Sequence, residues 1–407
     1  MKKIACIILT ICILLSLAAC GSTPSASTGS APSGSTSSAQ APAESAASET
    51  IKVGQLCALT GSSAPYGIPE NNAAKLYIDK INAAGGVLGR QVELIAYDSK
   101  GDQSECVNAT KRLIADGVCA IIGPNMSGQA IAIVPVTEAA GIPFIATAAT
   151  NPKVTVDEAT GNVFHTAFRT CFIDSFQGKV VSQFCLNELG GKTVAIIYDV
   201  GSDYAAGLKE YFEADFLASG GTIVATEGYR SGELDFRAIL GKVKEKNPDI
   251  IFSLSAPNEG GLMIKQAHDL GIECEWISGD MWSDMNLVES AAGYAEGAFM
   301  ISLAAVDDPS LKDWLAEYNK TFGADPILPA PIFVTDALNA LFTAIEKAGS
   351  TDSEKIIEQL EAIENLPVLS GSLTFDPATH NPLNKPAIIQ TVKDGQIVYY
   401  TLFENYT

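Results

Sequence analysis

The sequence predicts an α/β fold built as two doubly wound parallel-sheet lobes. Short apolar runs typical of strands alternate with stretches of helical spacing from residue 51 onward, and this alternation forms two series with a gap between them. Strands that alternate with helices of this size form parallel sheets covered by helices on both faces. Residues 51 to 407 are also too many for one typical core, so the two series indicate two lobes.

In the first series, strands and helices alternate up to residue 146. Strands are predicted at Ile51–Ala58, Gln91–Asp98, Val118–Gly123 and Ile142–Ala146, and helices at Glu70–Ala83, Ser104–Asp116 and Gln129–Ala140. The glycine-rich turn Gly85–Gly89 follows the first helix, where glycine readily ends a helix. A dinucleotide-binding loop follows a strand instead, so this turn predicts no cofactor site.

The second series continues to residue 270. Helices are predicted at Ser175–Leu189, Tyr204–Ser219, Phe236–Lys246 and Gly260–Leu270, and strands at Thr193–Tyr198, Thr222–Thr226 and Asp249–Leu254. Short helices follow, and then strands at Ser372–Phe375, Ala387–Lys393 and Gln396–Leu402. We expect these C-terminal elements to complete one or both lobes.

The N-terminus has the pattern of an export signal. Lys2 and Lys3 precede an apolar or small run from Ile4 to Leu17, which is too short to cross a membrane. The next residues, Ala18-Ala19-Cys20, complete a motif that resembles the lipobox of bacterial lipoproteins, in which the cysteine becomes lipidated. The alternative is an ordinary signal peptide that contains a cysteine. We predict a lipoprotein signal peptide at 1–19 and a lipid attached to Cys20.

Residues 20–50 are predicted to be a lipidated cysteine followed by a disordered tether. After Cys20 the segment consists almost entirely of Ser, Ala, Thr, Gly and Pro and has no bulky apolar residue before Ile51. Such a segment cannot bury enough surface to offset the entropy cost of ordering. It would hold the folded lobes near a membrane.

Composition and motifs disfavour several classes of function. The chain has 26 basic and 47 acidic residues, a formal charge of −21, so nucleic acid would be repelled and no nucleic-acid partner is expected. Six cysteines of the body show no CxxC pair, which argues against zinc, and their disulfide pairing cannot be inferred: Cys57, Cys106, Cys119, Cys171, Cys185 and Cys274. We expect most of them to be buried free thiols.

Catalytic signatures are scarce. The sequence has no GxSxG elbow, HExxH motif or P-loop, and its only histidines are His165, His268 and His380. None of these forms a credible nucleophile–base pair. The sequence therefore predicts a protein that is not an enzyme and that needs no cofactor or metal.

An ordered set of short motifs runs from residue 51 to residue 402. Its members include Leu59-Thr60-Gly61, Asn82-Ala83-Ala84-Gly85-Gly86, Ile122-Gly123-Pro124 and Asp203-Tyr204-Ala205-Ala206-Gly207. Taken in order, this set resembles the leucine/isoleucine/valine-binding protein family, the type I periplasmic-binding folds that serve branched-chain amino acid ABC transporters. The resemblance implies a three-segment hinge, with crossings near Thr170, Phe299 and Leu369. Lobe 1 would comprise 51–170 plus 300–369, and lobe 2 would comprise 171–299 plus 370–407.

The resemblance assigns ligand contacts in the first lobe. Ser127 and Thr150 match the hydroxyl residues that bind the ligand carboxylate, and Ala148 matches a residue whose main chain reaches the ligand. Tyr66 matches an aromatic residue that lines the pocket. From the sequence alone, Ser127 could also be a helix N-cap, a role compatible with ligand binding, and Tyr66 could be an exposed loop residue.

In the second lobe, Asp280 matches the acidic partner of the ligand ammonium, and Tyr204 matches a pocket tyrosine. Asp174 is a further candidate, although an N-cap is the more common use of an aspartate that precedes a helix. This chain departs from the family pattern at Ser255-Ala256-Pro257, where a bulky aromatic residue is expected before the proline. Trp282 either refills that space or belongs to the lobe core. The resemblance thus covers the α-amino-acid end of the pocket, whereas the side-chain end is altered.

We therefore predict an extracytoplasmic, membrane-anchored solute-binding lipoprotein of an ABC importer. It would capture a small amino acid, branched-chain or related, by hinge closure and deliver it to the permease subunits as a monomer. The alternatives are a ligand-sensing receptor component of the same fold and a binder of a small carboxylate that is not an amino acid.

Overall fold

The computed structural model describes residues 49–61, 63–302, 304, 308–326, 329–383 and 385–403. The predicted signal peptide, Cys20 and nearly all of the tether lie outside the described residues. No helix in these ranges is both long and apolar enough to cross a membrane.

The first sheet is built from the first series. Its strands are β1 (Ile51–Cys57), β2 (Val92–Asp98), β3 (Ala120–Ile122), β4 (Phe144–Ala146) and β5 (Ala167–Arg169). They lie in the order β2-β1-β3-β4-β5, and every neighbouring pair is parallel. The connecting helices are α1 (Ala64–Ala83), α2 (Gln103–Ala115) and α3 (Ser127–Ala140). β3, β4 and β5 are fully buried, as expected for strands covered on both faces.

The second series forms a second run of alternating elements. Its bounds are α4 (Asp174–Asn187), β6 (Thr193–Asp199), α5 (Asp203–Ala218), β7 (Thr222–Tyr229), α6 (Arg237–Lys246), β8 (Ile250–Leu254), α7 (Pro257–Asp269), β9 (Glu275–Ser278), α8 (Asn286–Ser290) and β10 (Phe299–Ser302). Sequence patterning assigned no bounds to β9, α8 or β10, each of which has five residues or fewer.

The C-terminal part adds helices to the first sheet and strands to the second. Its bounds are α9 (Lys312–Phe322), α10 (Ala330–Ala348), α11 (Ser353–Glu361), β11 (Leu366–Val368), β12 (Gly371–Leu373), β13 (Ala387–Lys393) and β14 (Gln396–Phe403). The second sheet has the order β14-β13-β10-β9-β8-β6-β7; β13 runs antiparallel to its neighbours and the other pairs are parallel. β11 and β12 form a separate antiparallel pair.

The predicted elements are confirmed, with shifts at their ends. α1 begins at Ala64 rather than Glu70, because Pro65 lies in the first turn, where proline removes no helical hydrogen bond. α10 is 19 residues long, not a short helix, and most of its side chains are buried, so it lacks the polar face from which a surface helix is identified.

Each sheet is covered on both faces by apolar side chains. One face of the first sheet packs with α1, α10 and α11, and the other face packs with α2 and α3. The second sheet likewise carries two clusters, which include Phe212 and Phe252 on one face and Leu240 and Met263 on the other. The two-lobed, doubly wound α/β fold predicted from the sequence is therefore confirmed.

Core membership also bears on where the chain crosses between the lobes. β10 belongs to the second sheet up to Ser302. Leu373 and Phe375 pack in the core of the first sheet, whereas Ala387 packs in the core of the second. We infer that the second crossing follows Ser302 and that the third lies between Phe375 and Ala387, later than the predicted positions near Phe299 and Leu369.

The six body cysteines are all unpaired. Four of them are buried, and Cys119 and Cys274 are half-buried. Burial raises the pKa of Cys106 and Cys171 to about 12, so both are protonated at neutral pH. They behave as small core residues.

Candidate ligand-binding site

A cavity of about 850 Å³ lies where the carboxyl ends of the two sheets face each other. Residues that follow β3 and β4 line it from the first lobe, and residues that follow β6, β7, β8 and β9 line it from the second. Open α/β sheets bind ligands at this edge of the strands. Among the predicted site residues, the lining includes Tyr66, Ser127, Ala148, Tyr204 and Asp280.

Ser127 is the first residue of α3, and its hydroxyl accepts a hydrogen bond from the backbone N–H of Asn151 at 3.2 Å. The N-cap position is occupied by Met126, so the N-cap interpretation of Ser127 is wrong. Ser127 lines the cavity at the start of a 14-residue helix. The first turn of a helix leaves backbone N–H groups free, and its dipole favours a negative charge.

Thr150 is fully buried and does not line the cavity. Its hydroxyl lies close enough to Asp174 to lower the pKa of that carboxyl, but it has no hydrogen-bond partner in the described part of the chain. The structure therefore places Ala148 at the cavity surface and Thr150 in the buried layer next to it.

Tyr66 approaches the second lobe. Burial raises the pKa of Tyr66, and the neighbouring carboxylate of Asp284 raises it further. Gln103, at the start of α2, also reaches across and donates to Asp203 Oδ2 at 3.0 Å. These two contacts join the two lobes.

Asp280 follows β9 and begins a short 3-10 turn. Its Oδ1 accepts a hydrogen bond from the Tyr204 hydroxyl at 2.7 Å, and its backbone N–H donates to Gln177 Oε1 at 2.8 Å. Burial raises the pKa of Asp280 to about 6, although the Tyr204 hydroxyl lowers it. The close approach of Tyr204 requires Gly279, since a Cβ atom there would lie 2.0 Å from the Tyr204 oxygen.

Asp174 lies behind this pair rather than on the cavity surface. It is fully buried, is the first residue of α4, and makes no cap because Ile173 holds the N-cap position. Burial raises its pKa to about 7; the charge of Asp280 adds to this rise, and Arg169 opposes it. Arg169 is itself buried and donates to the carbonyl oxygens of Ala149 and Asn151. Arg169 thus supports the loop after β4, and the predicted site residue Asp174 does not line the cavity.

Trp282 belongs to the core of the second lobe. It is fully buried, stacks on Trp276 with ring centroids 6.4 Å apart, and packs so tightly on Gly260 that a Cβ atom there would lie 2.5 Å away. Its ring N–H donates to Ser255 Oγ at 3.2 Å. Of the two predicted roles for Trp282, the core position is the one observed, and the ring supports Ser255 from behind.

Comparison with known proteins agrees with this architecture. The family model for periplasmic binding proteins matches residues 50–396. This chain belongs to the periplasmic binding protein family. It is 31% identical to the Leu/Ile/Val-binding protein BraC3 of Rhizobium johnstonii, over 81% of this chain and 88% of the relative. The predicted resemblance is therefore confirmed.

Solved structures show the same fold. The leucine-binding protein LivK from Thermotoga maritima superposes with a TM-score of 0.79 at 30% identity, covering 87% of this chain and 99% of the other. LivJ from Streptococcus pneumoniae, solved with isoleucine, gives a TM-score of 0.78 at 30% identity, covering 88% and 99%. A solute-binding protein from Rhodopseudomonas palustris, solved with 3,4-dihydroxybenzoic acid, gives 0.75 at 26% identity, covering 87% and 97%. The family consists of extracytoplasmic solute-binding proteins of ABC importers, not enzymes.

Sequence reasoning missed much of the lining of this binding protein. The missed polar residues include Gln103, Gln129, Asp199, Asp203, Ser231, Asn258, Glu259 and Asn286. All of those in the second lobe lie at or just after the carboxyl end of a strand or in the first turn of the next helix, so the rule that predicts Asp280 could also have found them. Glu259 is the most buried of the missed carboxylates and is only 4% exposed.

Proposed function

We propose that this protein captures an α-amino acid outside the cytoplasm, closes around it, and delivers it to the permease of an ABC importer. One observation carries the proposal. A carboxylate of the second lobe, Asp280, shares a cavity with neutral donors of the first lobe, Ser127 and the backbone near Ala148. An α-amino acid presents an ammonium and a carboxylate on one carbon atom, so it needs both kinds of partner in a single cavity.

The first lobe supplies the partner for the ligand carboxylate. The hydroxyl of Ser127 and the free N–H groups of the first turn of α3 donate hydrogen bonds without introducing a cation. Hydrogen bonds to a charged group contribute about 1.5–3 kcal/mol each, roughly twice a neutral one. The first lobe can thus hold the solute before the lobes close.

The second lobe supplies the partner for the ammonium. Asp280 forms no ion pair with any described residue, and its charged form is supported by the Tyr204 hydroxyl. A buried carboxylate with a raised pKa gains most from a cation brought by the ligand. The ligand therefore stabilises the closed state by the contacts that it makes only there.

Delivery to a permease rests on family membership, and the membrane anchor rests on the lipobox-like motif at Cys20. A lipid at Cys20 would hold the binding protein on the outer face of the cell membrane. Monomeric action is part of the same proposal, because one chain contributes both halves of the cavity.

The decisive experiment identifies the solute and measures closure together. Solute released from purified protein by denaturation is identified by mass spectrometry, and its binding to refolded protein is measured by calorimetry. X-ray scattering should show a smaller radius of gyration with saturating solute and no change in mass. The matched control is the same carboxylic acid without the α-ammonium, which should bind far more weakly. Equal binding of the two would refute an amino-acid ligand, and identical scattering curves would refute hinge closure.

A further inference from the structure

The cavity surface of the second lobe is polar where the family pattern predicts a bulky aromatic residue. Ser255 stands at that position, and Ser231, Asn258 and Glu259 line the cavity near it. Trp282 does not fill the space, since it lies in the core and donates to Ser255 from behind. An inference from this region rests on the proposed function, because it concerns the side chain of the amino acid bound there.

The charges around the cavity are all of one sign. Four carboxylates line it, namely Asp199, Asp203, Glu259 and Asp280, whereas no Lys, Arg or His is found among its described lining residues. None of the four forms a salt bridge in the described part of the chain. A zwitterionic ligand with an apolar side chain would neutralise Asp280 alone and add its own carboxylate. The remaining negative charge therefore favours a second cation.

Glu259 is the carboxylate best placed to meet that cation. It lies in the first turn of α7, which follows β8, and β8 is hydrogen-bonded to β9, which Asp280 follows. The two carboxylates thus follow neighbouring strands at the same edge of the sheet, and both line the cavity. Three neutral donors hold Glu259 in place: the hydroxyl of Tyr229, the backbone N–H of Gly232 and the hydroxyl of Ser231.

An independent observation in the first lobe also indicates a donor on the ligand. Gln129 lines the cavity and is only 2% exposed. Its Oε1 has no hydrogen-bond partner within the described ranges, and its Nε2 contacts only the sulfur of Met126. A buried acceptor left without a partner costs about 1–3 kcal/mol. A ligand that brings N–H donors into the cavity would remove this cost.

We propose that the bound solute is an amino acid with a cationic side chain, an amine or a guanidinium, which pairs with Glu259 in the part of the cavity next to Ser255. A side chain without donors would enter the same space but leave the charge of Glu259 without a counter-ion and the Gln129 carbonyl without a donor. Sites built to bind a polar group reject analogues that lack it much more strongly than apolar sites reject an extra methylene.

The test compares lysine with norleucine, which has the same unbranched stem without the terminal ammonium. Calorimetric titration of the unaltered, solute-free protein should give lysine, ornithine or arginine a Kd at least tenfold lower than that of norleucine. Glu259→Gln should remove most of this preference, since glutamine can still accept from Gly232 and donate to Tyr229. Glu358→Gln changes an exposed carboxylate on α11 of the first lobe and should leave the preference intact.

The outcomes separate this inference from the proposed function. Tighter binding of norleucine or leucine than of every basic amino acid would overturn the inference and leave amino-acid binding in place. Binding of no amino acid at all would overturn both. If Glu259→Gln does not fold, the comparison of lysine with norleucine on the unaltered protein still decides the matter.

Discussion

Replacing Asp280 by asparagine isolates the charge that we assign to the ligand ammonium. Asparagine keeps an oxygen that can accept from the Tyr204 hydroxyl, which lies 2.7 Å from Asp280 Oδ1, and it has nearly the same volume. The substitution therefore removes the negative charge and leaves the packing around Gly279 in place.

The size of the effect follows from the surroundings of Asp280. It lines the cavity, and no Lys, Arg or His is among the described lining residues that could take the place of the ligand ammonium. Removing one partner of a buried, hydrogen-bonded charge pair costs about 2–5 kcal/mol. Since about 1.4 kcal/mol corresponds to a factor of ten, Asp280→Asn should weaken amino-acid binding at least about thirtyfold.

The same substitution should not weaken the unliganded fold. Burial raises the folded-state pKa of Asp280 to about 6, above its ordinary value, so the ionised carboxyl is the disfavoured form in the folded protein. The free energy of unfolding therefore falls as pH rises from the ordinary aspartate pKa of about 4 to the folded-state value of about 6. Above this range the stability no longer changes with the ionisation of Asp280. At pH 7, Asp280→Asn should therefore unfold in urea at the same concentration as the unaltered protein, or at a higher one.

Calorimetry at pH 7.5 with the identified solute measures the binding change, and urea unfolding measures stability. Asp313→Asn, an exposed change on α9, is the matched control and should alter neither quantity. Normal binding by Asp280→Asn would refute the assigned role. A simple carboxylate or an uncharged solute would then be the better interpretation.

Three further predictions concern Thr150, the pH dependence and Cys20. Thr150→Val should weaken binding by no more than about tenfold in the same titration, because Thr150 does not line the cavity and the hydroxyl removed is neutral, worth at most about 0.5–1.5 kcal/mol. A loss as large as that of Asp280→Asn would contradict this reasoning. Binding should weaken about tenfold per pH unit below the pKa of Asp280, which is about 6, and titrations of Asp280→Asn between pH 7 and 5 should be nearly flat by comparison. Cys20→Ser should release the protein from membranes in cell fractionation, and retention in the membrane fraction would count against the anchor.

Much of the fold could be predicted because its strands are short, apolar and separated by regular helices. The strand Ala387–Lys393 has the predicted bounds. β9 and β10 were harder to predict, because a strand of four residues is too short to show the periodicity that distinguishes a strand from a helix. α10 was missed as a long helix because both its faces are buried, which hides the amphipathic pattern.

The site likewise contains residues that the sequence could place and residues that it could not. Ser127 and Asp280 each stand directly after a buried strand and its turn, so sequence position places them at the ligand edge. Whether a side chain there faces the cavity or the layer behind it depends on loop geometry. Thr150 and Asp174 lie in that second layer, where Arg169 holds the loop, and no local pattern distinguishes them from lining residues.

The affinity of such a protein depends on more than the residues that touch the solute. Gln103 with Asp203, and Tyr66 with Asp284, join the lobes through contacts that need no ligand atom. These contacts set the fraction of molecules that is closed in the absence of solute, and the apparent affinity scales with that fraction. The solute then contributes only the difference between its contacts in the closed and open states. Two proteins that make the same contacts with the solute can therefore differ in affinity through contacts between the lobes. Charge and hydrogen-bonding groups in the cavity thus indicate the class of ligand but not its binding constant.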